Sequence, residues 1–335
     1  MKCCPKCFND TEMKGIINGI STEIGICDYC HSENQTIISV EDLQDNFTPL
    51  LDLYETEITS DESLFHKIHS DWNVFSSEVL CSKILYDLFH ETEYKLLLSN
   101  NVKPKYSEES DSSTIWENFV DEIKTKNRFF ITNNIVVRDV VEKLLRYHSK
   151  ELKAGTKFYR GRICNNIDGY KESDLWQPPC EKASPGRANP KGISYLYLAN
   201  DEDTTLYEVR ASFLDYVCVG EFELKENIKI VALKDVHNAS PFLEDINLQE
   251  YVTNKNILKR FGDALSKPLR RFESDIEYLP TQYLCEYIKS LGILGVEYAS
   301  AMHKGGINYA FFDASKFKFL NSCTMEVTNI NIEIA

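Results

Sequence analysis

The sequence predicts an α+β protein in three successive parts: a small metal-binding module, a helical middle and a C-terminal domain of mixed α/β pattern. Three observations carry this. Two Cys-x-x-Cys pairs stand within the first 30 residues. Apolar residues then recur at three- and four-residue spacing, as amphipathic helices require. After Gly155, short runs rich in β-branched and aromatic residues alternate with helical ones. The expected divisions are residues 1–35, 40–150 and 155–325.

Length and charge narrow the function classes. A chain of 335 residues with 43% apolar and 12% aromatic content can bury at least one sizeable core. Thirty-seven Lys and Arg stand against 52 Asp and Glu, a formal charge of −15, so phosphate backbones and anionic lipid repel the molecule as a whole. General nucleic-acid binding is not expected. No apolar run reaches the ~20 residues that span a bilayer, and Met1-Lys2-Cys3-Cys4 opens onto polar residues in place of a signal-peptide core. A cytoplasmic location follows as the expectation.

Five of the 11 cysteines lie within the first 30 residues, which favours metal ligation over a disulfide framework. Cys4-Pro5-Lys6-Cys7 and Cys27-Asp28-Tyr29-Cys30 are separated by 19 residues, the spacing of a zinc ribbon. Each pair turns two thiolates toward one ion, and Ile16–Ile26 is expected to form a small hairpin between them. Four thiolates suit tetrahedral Zn²⁺ and leave no open position for substrate, so the metal is expected to be structural. Cys3 and His31 adjoin the set as alternative ligands. The other six cysteines are scattered singly among apolar residues, where reduced, buried thiols are the rule.

Residues 41–113 hold 16 acidic and five basic side chains, a net of −11. Within them Leu64, Phe65, Ile68 and Trp72, then Val79, Ile84, Leu85, Leu88 and Phe89, mark two amphipathic helices. Ser107–Ser113 has linker composition, and Val136, Val140, Val141, Leu144 and Leu145 mark a further helix. The acidic stretch reads as a solvated helical scaffold, with partner binding or autoinhibition as the functional alternative.

In the C-terminal part, Lys157–Arg162 and Ile193–Leu198 read as strands, followed by a helix from Thr204 with Leu206, Val209 and Phe213 on its buried stripe. Tyr216–Leu224 and Ile228–Leu233 read as strands, Pro241–Leu269 as a long helical insertion and Thr281–Leu291 as a helix. Ile293–Tyr298, Asn308–Asp313 and Phe317–Leu320 complete the strands. Neither a Gly-x-Gly-x-x-Gly turn nor a phosphate loop ending in Gly-Lys-Ser/Thr is present, which disfavours a Rossmann cofactor site and a nucleotide triphosphatase. His303 follows Ser300 by three residues, but no acidic orienter can be named for a Ser/His hydrolase.

Polar residues at predicted strand ends stand out, since rigid sheets commonly carry sites there. Phe158-Tyr159-Arg160-Gly161-Arg162, Gly186-Arg187-Ala188-Asn189-Pro190, Tyr195-Leu196-Tyr197-Leu198-Ala199 and Leu206-Tyr207-Glu208-Val209, followed by Tyr278–Leu284 and Gly295–Ser300, resemble the RES domain family over about residues 155–320. The N-terminal half resembles, more loosely, the zinc-ribbon and helical extension of the HEPN/RES N-terminal type.

The resemblance implies an ADP-ribosyltransferase-like fold and an enzyme that destroys NAD⁺ at the nicotinamide–ribose bond, by hydrolysis or phosphorolysis, as a toxin or defence effector restrained by an antitoxin or other regulatory protein. It carries the family's Arg onto Arg160, its Tyr onto Tyr197, its Glu onto Glu208 and its Ser onto Ser300, with Arg187 lining the same pocket. Ala188, where many members have an aromatic residue, and the Pro241–Leu269 insertion depart from the pattern. The chemistry gives each residue a task. Glu208 stabilises an oxocarbenium-like transition state, and Arg160, supported by Arg187, grips pyrophosphate. Tyr197 stacks on a ring with its hydroxyl available, and Ser300 hydrogen-bonds a phosphate or the nicotinamide amide. Taken singly each is an ordinary surface or core residue; the joint occurrence in family order makes them a candidate site. ADP-ribose transfer to a macromolecule and a non-catalytic nucleotide- or partner-binding module are the alternative functions.

Overall fold

The computed structural model describes residues 1–106, 111–131, 134–234, 236, 239–268 and 275–330. The chain packs as two compact units, residues 1–113 with 237–256, and residues 114–236 with 257–335. Packing therefore divides the chain at other points than composition does.

In the first unit, β1 (Lys2–Cys3) leads into a short 3-10 turn at Pro5–Cys7 and then α1 (Thr11–Ile20). The expected hairpin over Ile16–Ile26 does not form. Asp10 accepts a hydrogen bond from the Met13 amide and starts a helix that buries Met13 and Ile17 one turn apart. The strands come later: β2 (Ile24–Gly25) pairs with β3 (Gln35–Thr36), and β4 (Ile38–Ser39) pairs with β1. Then follow α2 (Gln44–Leu51), β5 (Tyr54–Thr56), α3 (Leu64–Trp72), α4 (Glu78–Phe89), α5 (Lys95–Ser99) and β6 (Val102–Pro104), which pairs with β5. Ser63 and Ser77 cap α3 and α4, and both predicted stripes are buried except Phe65, which is half-buried, and Val79, which faces solvent in the first turn of α4. Phe47 packs with Phe75 and Phe242 at ring-centroid distances of 5.4 and 5.1 Å, and Trp72 meets Tyr251 at 5.8 Å. These aromatic contacts draw residues 237–256 into this unit.

The second unit contains α6 (Asp111–Thr125, whose first residues belong to the other unit), α7 (Asn134–Tyr147) and an eight-stranded mixed sheet. The linker expected at Ser107–Ser113 falls outside the described residues at 107–110, and residues 111–113 already begin α6. In chain order the rest are β7 (Ser149–Leu152), β8 (Lys157–Cys164), α8 (Glu172–Leu175), β9 (Leu196–Ala199), α9 (Glu202–Glu208), β10 (Tyr216–Leu224), β11 (Ile228–Ala232), α10 (Leu248–Ser266, of which the residues up to Asn256 belong to the other unit), α11 (Leu279–Ser290), β12 (Gly295–Ala299), β13 (Ile307–Phe311) and β14 (Phe317–Glu326). The helical insertion is shorter than the expected Pro241–Leu269, and Leu269 lies outside the described residues.

The sheet order is β14-β10-β8-β9-β13-β12-β11-β7, with β11 and β12 parallel and the other neighbours antiparallel. The neighbours β8 and β9 share a single pair, Tyr159 with Ala199, so the sheet divides there into two halves. One face carries the core of this unit: Phe158, Leu196, Leu198, Phe222, Tyr309 and Phe311. The alternation along β9, β12 and β13 puts Tyr197, Tyr298 and Asn308 on the opposite face, because Tyr298 stands across from Asn308 and Tyr197 across from Ala310. The expected stripe Leu206, Val209, Phe213 is not realised. The helix ends at Glu208, Arg210 turns left-handed at φ 51°, and Phe213 is 60% exposed, while Thr204 and Thr205 are buried instead.

Candidate active site

Arg160, Arg187, Tyr197 and Glu208 line one cavity of about 410 Å³, together with Tyr159, Thr205, Tyr278, Tyr298 and Asn308. The volume is that of ordinary small-molecule sites. Each of the four is fixed by a different piece of structure.

Glu208 is the last residue of α9, a helix started by Asp201, whose carboxylate accepts from the Thr204 amide at 2.7 Å. Its Oε1 accepts two hydrogen bonds, from the Ser300 hydroxyl at 2.6 Å and from Asn308 Nδ2 at 2.7 Å. Its Oε2 is 3.8 Å from Arg187 Nη2. One carboxylate oxygen is thus held by two donors, and the other stands beside a cation.

Arg187 belongs to a loop that leaves it little freedom. Its Nη1 donates to the carbonyls of Leu265 and Ser266 at 3.3 and 3.2 Å, the end of α10, where a cation meets the negative pole of the helix. Its own carbonyl accepts from Thr281 Oγ1, and the Gly186 carbonyl from Gln282 Nε2. Asn189 locks the loop from within. Its Nδ2 donates to the carbonyls of Ser184, Pro190 and Ile193, while its Oδ1 accepts from the Tyr197 hydroxyl at 2.7 Å. A Cβ on Gly186 would lie 2.5 Å from that Oδ1 and 2.8 Å from the Tyr197 hydroxyl, so only glycine fits.

The Tyr197 hydroxyl is therefore engaged. Its proton goes to Asn189, and it accepts from the Ala188 amide at 3.1 Å. The expectation of a hydroxyl available to substrate is corrected: the local motif fixes the type of residue, but the loop that folds against it uses the hydroxyl. Ala188 is fully buried, and its contribution to the loop is this backbone amide.

Arg160 differs from Arg187. The residue is half-buried where the two halves of the sheet meet; among the described residues its Nη1 donates to the Tyr197 carbonyl at 3.4 Å, and its Nε, shut off from solvent, has no hydrogen-bond partner. Among the described residues no carboxylate lies within ion-pair distance of it. Burial, with repulsion from Arg162, pushes its pKa down to about 10, which leaves it a cation at neutral pH.

Ser300 does not line the cavity. It stands behind Glu208, donating to the carboxylate while its Oγ accepts from the amides of Met302 and His303. Its expected contact with phosphate or nicotinamide is corrected to a contact with Glu208, because the single hydroxyl proton is already committed. Asn308, Tyr298, Tyr278 and Asn189 were not singled out as site residues from the sequence. The i, i+2 strand period could have grouped Asn308 with its neighbours, but not with Glu208 a hundred positions away.

The RES domain model matches residues 161–329, about half of the chain, and these residues include Arg187, Tyr197, Glu208 and Ser300. The chain belongs to the RES domain family. A solved structure similar to this chain belongs to the M. tuberculosis MbcT-MbcA toxin-antitoxin complex, at 12% identity and a TM-score of 0.33, covering 56% of this chain and 91% of that one. No curated protein matches the sequence. Arg160 lies one residue before the matched region, on β8, the strand that runs into it.

Outside the RES domain, Cys4, Cys7, Cys27 and Cys30 bring their sulfurs within 4.8 Å of one another, with Cys4 to Cys30 at 3.5 Å and Cys7 to Cys27 at 3.4 Å. A tetrahedral ion with metal–sulfur bonds of about 2.3 Å needs sulfurs roughly 3.8 Å apart, so the set fits one. Cys3 and His31 are not part of the set. Without a cation among the thiols, burial and the neighbouring sulfurs push Cys4 up to about 12, so metal entry must displace its proton. No helix among the described residues is long and apolar enough to cross a membrane.

Proposed function

We propose that the RES domain cleaves the nicotinamide–ribose bond of NAD⁺, as a glycohydrolase or a phosphorylase. The observation that carries this is the pairing, in one cavity, of a half-buried guanidinium with an orphaned Nε and no carboxylate partner among the described residues with a carboxylate held by two donors. A desolvated cation without a counterion favours an anionic ligand, and Arg160 would receive the pyrophosphate. Glu208 would face the ribose. As the bond from the anomeric carbon to the pyridinium nitrogen breaks, its electron pair leaves with neutral nicotinamide and positive charge develops on the ribose. A preoriented carboxylate stabilises that charge and can hold a ribose hydroxyl. Water or phosphate then attacks the anomeric carbon; from water, the released proton passes to solvent. Arg187, pinned by the end of α10, keeps the second carboxylate oxygen in place, and Tyr197 secures the loop that carries Arg187.

The N-terminal four-sulfur set would hold Zn²⁺ as a structural ion, with no part in the chemistry. Loss of NAD⁺ harms the cell that makes such an enzyme, so a toxin or defence role requires a restraining partner, of the antitoxin or regulatory kind.

Incubation of the full chain with NAD⁺, followed by chromatography, tests the reading. Nicotinamide with ADP-ribose is expected for hydrolysis, and ADP-ribose-1″-phosphate where phosphate is the acceptor. Label retained on macromolecules would replace the reading with ADP-ribose transfer, and intact NAD⁺ under all conditions would overturn it. Arg160→Gln is expected to raise KM about tenfold or more, as loss of a charge-assisted contact does, with a smaller change in kcat; an unchanged KM would remove the pyrophosphate from Arg160.

A further inference from the structure

The loop from Ser300 to Gly306 lies along one face of α9. Thr204, Tyr207 and Glu208 stand at helical spacing i, i+3 and i+4 and so share that face. Ser300 donates to Glu208 at 2.6 Å. Three residues on, the His303 ring stacks on Tyr207, with centroids 4.8 Å apart and planes 12° from parallel, and its Nδ1 is 2.9 Å from the Thr204 hydroxyl. Thr204 itself is fully buried. The His303 amide donates to Ser300 Oγ at 3.1 Å, and its carbonyl accepts from the Gly306 amide at 3.0 Å. At Gly306 a Cβ would stand 2.5 Å from Thr204 Oγ1, so the loop approaches the helix as closely as a backbone can.

We infer that His303 is a positioning residue for Glu208: it clamps this loop to α9 and thereby holds the Ser300 hydroxyl on the carboxylate. The inference rests on the proposed NAD⁺ cleavage for its kinetic consequence. Its geometry joins two ends of one lever. The imidazole fastens the loop to Thr204 and Tyr207, and the amide of the same residue orients the hydroxyl that reaches Glu208. A carboxylate that must meet developing charge loses effect when its orientation is averaged over several positions. The contact is to α9 and Ser300, not to the cavity, so substrate binding should be nearly untouched.

Three full-length variants separate this role from a general one in folding. His303→Ala removes both holds and is expected to lower kcat about tenfold, with KM within twofold of the parent. His303→Asn can keep a hydrogen bond to Thr204 and is expected to recover most of kcat. His303→Phe, which keeps only the ring stack, should fall between them. Amide hydrogen exchange at Met302 and residue 303, whose N–H groups are held by Ser300, should speed up at least tenfold in His303→Ala and much less in His303→Asn. That readout needs no turnover, so it judges the clamp even if the parent enzyme releases no nicotinamide, an outcome that would count against the proposed reaction. A normal kcat in His303→Ala, an equal loss in His303→Asn, or unchanged exchange at Met302 overturns the inference.

Discussion

For the proposed reaction, Glu208→Gln is expected to lower the rate of nicotinamide release at least ~100-fold, the scale on which a preorganised electrostatic group acts, with KM and the fold nearly preserved. The reasoning follows from the two oxygens. A carboxamide oxygen in the Oε1 position still accepts from Ser300 and Asn308, at the 2.6 and 2.7 Å seen for the carboxylate, so the side chain keeps its orientation. What disappears is the negative charge, the quantity that a positively charged ribose in the transition state requires. Arg187, 3.8 Å from Oε2, retains its bonds to the carbonyls of Leu265 and Ser266 and is not left unpartnered. The measurement is steady-state release of nicotinamide by the variant and the parent at equal folded concentration. A rate within a few fold of the parent would falsify the assignment of Glu208 to the charge-stabilising role.

Removal of the zinc proposed for the four-sulfur set is expected to have the second large effect, on the N-terminal unit. The regular structure around the four sulfurs is slight: β1 pairs with β4 over two residues, and β2 with β3 over two more. Cys3, Cys4, Cys7 and Cys27 are nevertheless fully buried. Ladders this short do not order a chain, whereas four thiolates on one Zn²⁺ ion contribute about 10–16 kcal/mol of apparent binding energy in small zinc modules. One equivalent of zinc is expected per chain, and a strong chelator should abolish amide protection over the segments carrying Cys4, Cys7, Cys27 and Cys30. Cys27→Ser should do the same without chelator. Full protection in metal-free protein would show that packing alone holds this region.

Much of the architecture can be read in the sequence wherever the determining contacts are local. The stripes Leu64, Ile68, Trp72 and Ile84, Leu85, Leu88, Phe89 mark α3 and α4. Tyr216–Leu224 is a strand as its composition requires. Failures occur where a short-range pattern competes with a stronger local or tertiary signal. Ile16–Ile26 has the branched residues of a hairpin, yet Asp10 begins a helix that reaches Ile20. Leu206, Val209 and Phe213 have helical spacing, yet the chain leaves the helix after Glu208.

The candidate site divides in the same way. The motif order picks out Arg160, Arg187, Tyr197, Glu208 and Ser300 as candidates, because residue type and spacing along the chain are all that such a choice needs. Their partners are invisible in it. The Tyr197 hydroxyl is taken by a loop eight residues away, Ser300 reaches Glu208 across 92 positions and Asn308 across 100.

By itself, then, the sequence determined most of the elements, the two cysteine pairs and the side chains of a candidate site, since backbone propensity and periodicity act over a few residues. Only the tertiary structure decided which oxygen each donor meets, that Arg160 has no carboxylate partner among the described residues while Arg187 caps α10, and that Ser300 serves Glu208 from outside the cavity. The physical reason is that hydrogen bonding and desolvation depend on separations of a few ångströms, and folding alone brings distant parts of the chain that close.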